Sequence, residues 1–234
     1  MKAVLLAGGK GTRLKPYTTT LPKPLVPVGE KAILEILIER LKMAGITEIT
    51  LCVNHMADLI MAYCGDGSKF GVKIDYSLEE KPLHTVGPVK LIKDLPDDFL
   101  VMNGDLLTDL DFKKLFDYHL QNKALLTVAT YNRKEKIDLG VIDIDKEKLV
   151  AVGFREKPEY DFNVSMGVYV FSKKVLDYVP ADTFFGVDSL MLKLLKEKEP
   201  IKIYPFDGYW LDIGRPDDYE KANNDIEKLH FESK

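Results

Sequence analysis

Lys2-Ala3-Val4-Leu5-Leu6-Ala7-Gly8-Gly9-Lys10-Gly11-Thr12-Arg13-Leu14 opens the chain with a short apolar run and ends it in a glycine-rich loop. Branched residues that leave no polar position suit a strand buried on both faces, as in a parallel sheet. The loop after it places three glycines and an arginine where a phosphate chain would lie. Glycine lets backbone amides approach the anion and tolerates positive φ, and a guanidinium supplies a planar fork for phosphate oxygens. The spacing is neither the dinucleotide fingerprint nor a P-loop, because no Gly-Lys-Ser or Gly-Lys-Thr follows. Taken alone, such a loop also reads as a tight turn.

Outward from this loop the chain alternates. A helical spacing runs from Ala32 to Ala44 and is closed by Gly45. Then come a strand at Glu48 to Val53, a helix at Met56 to Cys64, a strand at Val72 to Ser77, a helix at Val86 to Lys93 and a strand at Phe99 to Met102. This is the βαβ rhythm of a parallel sheet covered by helices on both faces. In the second half Leu125 to Tyr131, Gly140 to Ile144, Leu149 to Arg155 and Val164 to Phe171 read as strands with short turns, an antiparallel addition to the first sheet. Helices are expected again at Lys173 to Tyr178, Val187 to Lys196 and Pro216 to Leu229. The predicted fold is α/β and Rossmann-like, three-layered, with a mostly parallel central sheet and a smaller antiparallel region. No internal repeat or hexapeptide array is visible, so the expected organisation is one domain over 1–234, without a C-terminal β-helix.

The 234 residues are 46% hydrophobic and 30% charged, with a formal net charge of -4. That is enough chain for a full core, and the charge gives no drive toward nucleic acid. The first apolar stretch is too short for a signal sequence or a membrane span, so a cytoplasmic protein without membrane or nucleic-acid partners is expected. Cys52 and Cys64 lack metal-type spacing and read as reduced, partly buried thiols. His55, His119 and His230 are scattered and form no ligand pattern. The hydrophobic helix ends could support a homodimer.

Pro22-Lys23-Pro24 fixes a lysine between two residues of restricted φ, near the glycine loop in sequence, and by itself reads as an exposed lysine in a proline-bounded connection. Together, Leu6-Ala7-Gly8-Gly9-Lys10-Gly11-Thr12-Arg13-Leu14-Lys15-Pro16 and Pro22-Lys23-Pro24-Leu25-Val26-Pro27-Val28 resemble the signature of the sugar-1-phosphate nucleotidyltransferases. Asn103-Gly104-Asp105, Phe154-Arg155-Glu156-Lys157-Pro158 and Gly208-Tyr209-Trp210-Leu211-Asp212-Ile213-Gly214 follow in the same order and at similar spacing, so the resemblance covers nearly the whole chain. Within that family the chain is most similar to the mannose-1-phosphate guanylyltransferases and related heptose enzymes, through Thr85-Val86-Gly87-Pro88 and Tyr209 to Tyr219.

The resemblance implies transfer of a nucleotidyl group from a nucleoside triphosphate to a sugar 1-phosphate, with release of pyrophosphate. It divides the chain into a nucleotide-binding part at about 1–110 and a sugar-binding part at about 111–234. Joining two anions requires charge neutralisation and alignment rather than a protein nucleophile. Arg13, Lys23 and Asp105 are the expected catalytic groups. Leu6, Ala7, Gly8, Gly9, Gly11, Thr12, Arg13, Glu79 and Gly104 are expected at the nucleotide. Asp105, at the carboxyl end of a strand, and Asp212, a charge within an apolar stretch, are expected to hold Mg²⁺. From the residues alone Asp105 also reads as a cap, and Asp212 as a buried ion-pair partner.

Gly140, Glu156, Lys157 and Ser165 are expected by resemblance at the sugar phosphate. Ser165-Met166 stands where many relatives carry Asn-Ala, and His84 stands where they carry Gly, near the expected base and sugar contacts. Glu79 aligns with a Gln of thymidylyl- and uridylyltransferases. A carboxylate offers acceptors only, which suits the N1-H and N2 amine of guanine, so GTP is expected over UTP and dTTP. Two other classes compete with this one: a nucleotide-sugar sensor of the same fold, which has little need of a metal pair, and a glycosyltransferase. The only DxD spacings, Asp109-Leu110-Asp111 and Asp143-Ile144-Asp145, have surroundings that support the last poorly.

Overall fold

The computed structural model describes residues 1–227 and 229. In chain order the strands and helices are β1 (Lys2–Leu6), β2 (Pro27–Val28), β3 (Lys31–Ala32), α1 (Ile33–Met43), β4 (Glu48–Val53), α2 (Ala57–Cys64), β5 (Lys73–Leu78), α3 (Gly87–Lys90), β6 (Asp98–Asn103), β7 (Leu106–Thr108), α4 (Phe112–Asn122), β8 (Leu126–Lys136), β9 (Val141–Asp145), β10 (Val150–Arg155), β11 (Glu159–Ser172), α5 (Val187–Lys196), β12 (Ile201–Phe206), β13 (Trp210–Asp212) and α6 (Pro216–Ile226).

Seven strands form the main sheet in the order β12-β8-β11-β6-β1-β4-β5. The pairs β1 with β4, β1 with β6, β4 with β5 and β12 with β8 are parallel. β11, inserted between β6 and β8, is antiparallel to both. The sheet is therefore mostly parallel, as the alternation of elements requires. β1 explains why its sequence has no polar alternation: Ala3 and Leu5 enter the apolar layer shared with α1, α2 and α4, while Val4 enters the layer shared with α3 and α5. Helices on both faces leave no solvated side for the central strands.

Three readings need correction. The expected helix at Val86 to Lys93 is only α3, because Leu91 N and Ile92 N bond back three residues, to Pro88 O and Val89 O, and close the helix as tighter turns. The segment Lys173–Tyr178 is a 3-10 helix. Two of the longer elements, α4 and β12, differ from sequence expectation, as do the short strands β2, β3, β7 and β13. α4 buries Phe112, Leu115, Phe116 and His119, and the histidine interrupts its apolar stripe. β12 carries Pro205, tolerable because β12 is an edge strand. The helix expected to reach Leu229 ends at Ile226. His230 lies outside the described residues.

β8 and β11 continue past the main sheet as a two-stranded ribbon, pairing Tyr131 with Val164 and on to Lys136 with Glu159. A hairpin of β9 and β10 stands beyond it. No helix among the described residues is long and apolar enough to cross a membrane.

Candidate active site

β1, β4, β5 and β6 all end on one edge of the sheet, and their following residues, Ala7, Asn54, Glu79 and Gly104, line a cleft of about 370 Å³. This is the carboxyl edge, where parallel α/β sheets take their ligands. Leu6, Ala7, Gly8, Gly9, Lys23, Glu79, Gly104 and Asp105, all expected from the sequence, line it together. Asn54, Asn103, Pro88 and Phe184 also line it; only the tertiary structure brings Phe184 there, across about a hundred residues from Glu79.

The glycines have distinct reasons. Gly11 has φ 60°, and a methyl there would lie 2.9 Å from Thr18 Cγ2 and 3.1 Å from Lys23 Cβ. Gly8 admits Glu79, whose Oε1 would come within 3.0 Å of an added Cβ. Glu79 is buried, and its Oε2 accepts a 2.8 Å hydrogen bond from Leu83 N. Burial pushes its carboxyl above the ordinary value, with that bond acting the other way.

Lys23 occupies a 3-10 turn after Pro22, closed by Leu25 N to Pro22 O at 2.8 Å, and its side chain is 9% exposed. Its ammonium donates a short bond to Asp105 Oδ2 and lies 3.9 Å from Asp212 Oδ1. The carboxylates are brought together by two minor strands: β13 pairs antiparallel with β7, placing Asp212 opposite Leu106, and Ile213 N donates to Asp105 O at 3.1 Å. Burial first, and the Asp105 charge second, raise the Asp212 carboxyl above its ordinary range, against the pull of Lys23 and Arg13.

Asp105 Oδ1 is buried with no hydrogen-bond partner among the described residues. A carboxylate oxygen so placed has lone pairs that a cation can use. Two neighbouring carboxylates fit Mg²⁺, which takes few protein ligands and completes its shell with phosphate oxygens and water. No cluster of three or more His, Cys, Asp or Glu side chains is found among the described residues, so the protein's own share of such a site would be this pair.

Arg13 is outside the first cleft. With Asp212 it lines a second, of about 710 Å³, that also includes Arg133, Lys134, Arg215 and Lys221. Lys23, Asp105 and Asp212 thus stand where the two clefts approach one another. Gly11 and Thr12 connect them without lining either. The expected sugar-phosphate residues are apart: Gly140, Glu156, Lys157 and Ser165 are exposed on the ribbon and its hairpin and line neither cleft. Gly140 adjoins Glu156, whose Oε2 would be 3.5 Å from an added Cβ, and Ser165 Oγ lies 2.9 Å from Tyr169 OH. His119 is a satisfied core residue, with Nδ1 2.8 Å from Thr127 Oγ1 and Nε2 3.2 Å from Asp98 Oδ1.

A glycine loop at the end of β1, a buried lysine and a carboxylate pair on the carboxyl edge of a mostly parallel sheet agree with the family model that matches residues 2–229: the chain belongs to the nucleotidyl transferase family. Among its relatives, it is 34% identical to a UTP–glucose-1-phosphate uridylyltransferase of Synechocystis sp., over 95% of this chain and 62% of that one. It is 35% identical to a mannose-1-phosphate guanyltransferase of Candida albicans, over 94% and 62%. The chain therefore spans a little over three fifths of the length of these relatives. The crystal structure of HddC from Yersinia pseudotuberculosis complexed with GMP-PN superposes with a TM-score of 0.73 at 30% identity, over 96% of this chain and 99% of that one.

Proposed function

We propose that the protein transfers a nucleotidyl group from GTP to mannose 1-phosphate or a related manno-configured sugar 1-phosphate, releasing pyrophosphate. The observation that carries the transfer is the buried Lys23 held against Asp105 and Asp212 between two clefts. One cleft takes the nucleoside triphosphate, and the lysine meets the phosphate at which transfer occurs. Its charge counters the negative charge that accumulates as a second phosphate approaches. Asp105 and Asp212 would hold Mg²⁺, which supplies further neutralisation of the phosphates when bound. Arg13, which approaches Asp212 only through folding, faces the second cleft and orients phosphate there. Gly140, Glu156, Lys157 and Ser165, on the ribbon and its hairpin and outside both clefts, are assigned to the sugar 1-phosphate by the family resemblance alone.

The base assignment rests on Glu79. One oxygen is committed to Leu83 N, and a carboxylate has no donor for the O4 carbonyl of uracil or thymine, whereas guanine offers two donors. HddC complexed with GMP-PN favours the same base; the Synechocystis relative favours UTP with glucose 1-phosphate, the alternative reading. A pyrophosphate-release assay over GTP, UTP, dTTP and ATP, each with mannose and glucose 1-phosphates, decides both. Highest kcat/KM with GTP is expected; UTP or dTTP at equal or better kcat/KM rejects the guanylyl assignment, and no release with any pair rejects the transfer.

A further inference from the structure

One wall of the nucleotide cleft is made of two loops that hold each other. Val86 N and Gly87 N both donate to Phe185 O at 3.0 Å, Phe185 N donates to Leu83 O at 3.0 Å, and Val187 N donates to Thr85 Oγ1 at 2.9 Å. An ion pair of Lys81 with Asp182, at 2.6 Å, joins their outer ends. On this frame His84 meets Phe184 edge to face, with ring centroids 4.7 Å apart and planes at 87°. Both rings line the cleft that Glu79 also lines.

Two features of the arrangement cost free energy. His84 has φ 69°, a left-handed conformation that costs any residue with a Cβ. Phe184 leaves 65% of its surface in water. Gly186 clears the space: a Cβ there would lie 2.7 Å from His84 Nδ1. Strained backbone and an exposed aromatic ring persist at a cleft where a ligand uses them. The ligand that gains from two adjoining π systems is a flat ring.

We propose that His84 and Phe184 form an aromatic clasp for the nucleobase, one ring stacking on its face and the other meeting its edge, and that it biases the cleft toward purines, whose larger face covers more of the stacking ring. The proposal rests on the reading that a nucleoside triphosphate occupies this cleft. It assigns a layer of selection separate from Glu79: the carboxylate reads the hydrogen-bonding edge, and the clasp reads ring area.

Calorimetric titration of GTP, ATP, UTP and pyrophosphate against wild type, Phe184→Ala and His84→Gly tests it without turnover. Loss of one stacking ring weakens GTP and ATP binding about tenfold and UTP binding about threefold, with pyrophosphate unchanged. Glycine accepts the backbone of His84, so His84→Gly keeps a thermal midpoint at or above wild type while weakening GTP severalfold. Unchanged GTP affinity in both variants overturns the clasp, as does an equal loss for pyrophosphate, or a wild type that binds none of the triphosphates. A wild type that binds purine triphosphates through these rings yet releases no pyrophosphate with any sugar phosphate leaves the clasp standing and rejects the transfer alone.

Discussion

At the scale of single residues, Asp212 is held against its own electrostatics. Burial and Asp105 disfavour its charge, so Asp212→Asn removes a repulsion and one proposed metal ligand together. The expected outcome is a thermal midpoint at or above wild type in metal-free buffer, with turnover lowered at least about a hundredfold. Thermal scans beside pyrophosphate release check it; a clear loss of stability would mark Asp212 as a structural ion-pair partner. Lys23→Ala leaves the Asp105 carboxylate without its cation in a site that is mostly buried. A loss of roughly 1–3 kcal/mol in denaturant unfolding is expected, with kcat falling more than the KM for triphosphate changes. Unchanged kcat would remove Lys23 from the chemistry. Glu79→Gln supplies the donor that the carboxylate lacks, and its expected effect is a ratio of GTP to UTP specificity reduced by about tenfold or more, read from kcat/KM.

At the scale of elements, α4 is fastened by His119 to β8 through Thr127 and to β6 through Asp98. Desolvation depresses the His119 pKa below its ordinary value of 6.5, more than Asp98 raises it. The unfolded chain then binds the proton more readily than the folded one, so stability is complete above pH 6.5 and declines as pH falls from there toward the depressed folded value. Urea midpoints between pH 5 and 7.5 should show this slope, and His119→Gln should flatten it. A wild-type slope of opposite sign would mean that the Asp98 contact dominates. At the start of the same helix Asp111 Oδ1 accepts from Lys114 N at 3.0 Å, so Asp111→Ala is expected to cost about 1 kcal/mol.

For the whole molecule, the two cysteines report on the integrity of the sheet. Cys52 on β4 and Cys64 on α2 are buried and free, and burial raises the Cys52 thiol far above its ordinary value and the Cys64 thiol to about 11. Thiolate is the reactive form, so the native protein should resist thiol reagents at pH 8 and expose both groups on unfolding. Cys52 also borders the cleft proposed for the nucleotide, so triphosphate should slow its labelling further. Fast labelling of Cys52 in the native protein would contradict the packing under the cleft.

The local sequence was sufficient for the elements that depend on local patterning. β1 reads as a central strand because both of its faces are apolar, and α1 and β4 because their periodicities are unbroken. α4 and β12 were illegible because His119 and Pro205 violate those patterns, each excused by a partner or an edge that only the fold provides. The glycine loop, Lys23 and the two aspartates are readable because they stand in motifs that resemble the family's, in its order and at its spacing; from the residues alone each also reads as a structural group. Their separation is not: Asp105 and Asp212 meet only because β7 pairs with β13, and Arg13 faces a different cleft from the loop that carries it. The meeting of His84 with Phe184 likewise depends on backbone bonds between two distant loops. Sequence determines what a segment can form and which groups can carry charge; distance between groups far apart in the chain is set by strand pairing and packing, which no local pattern encodes.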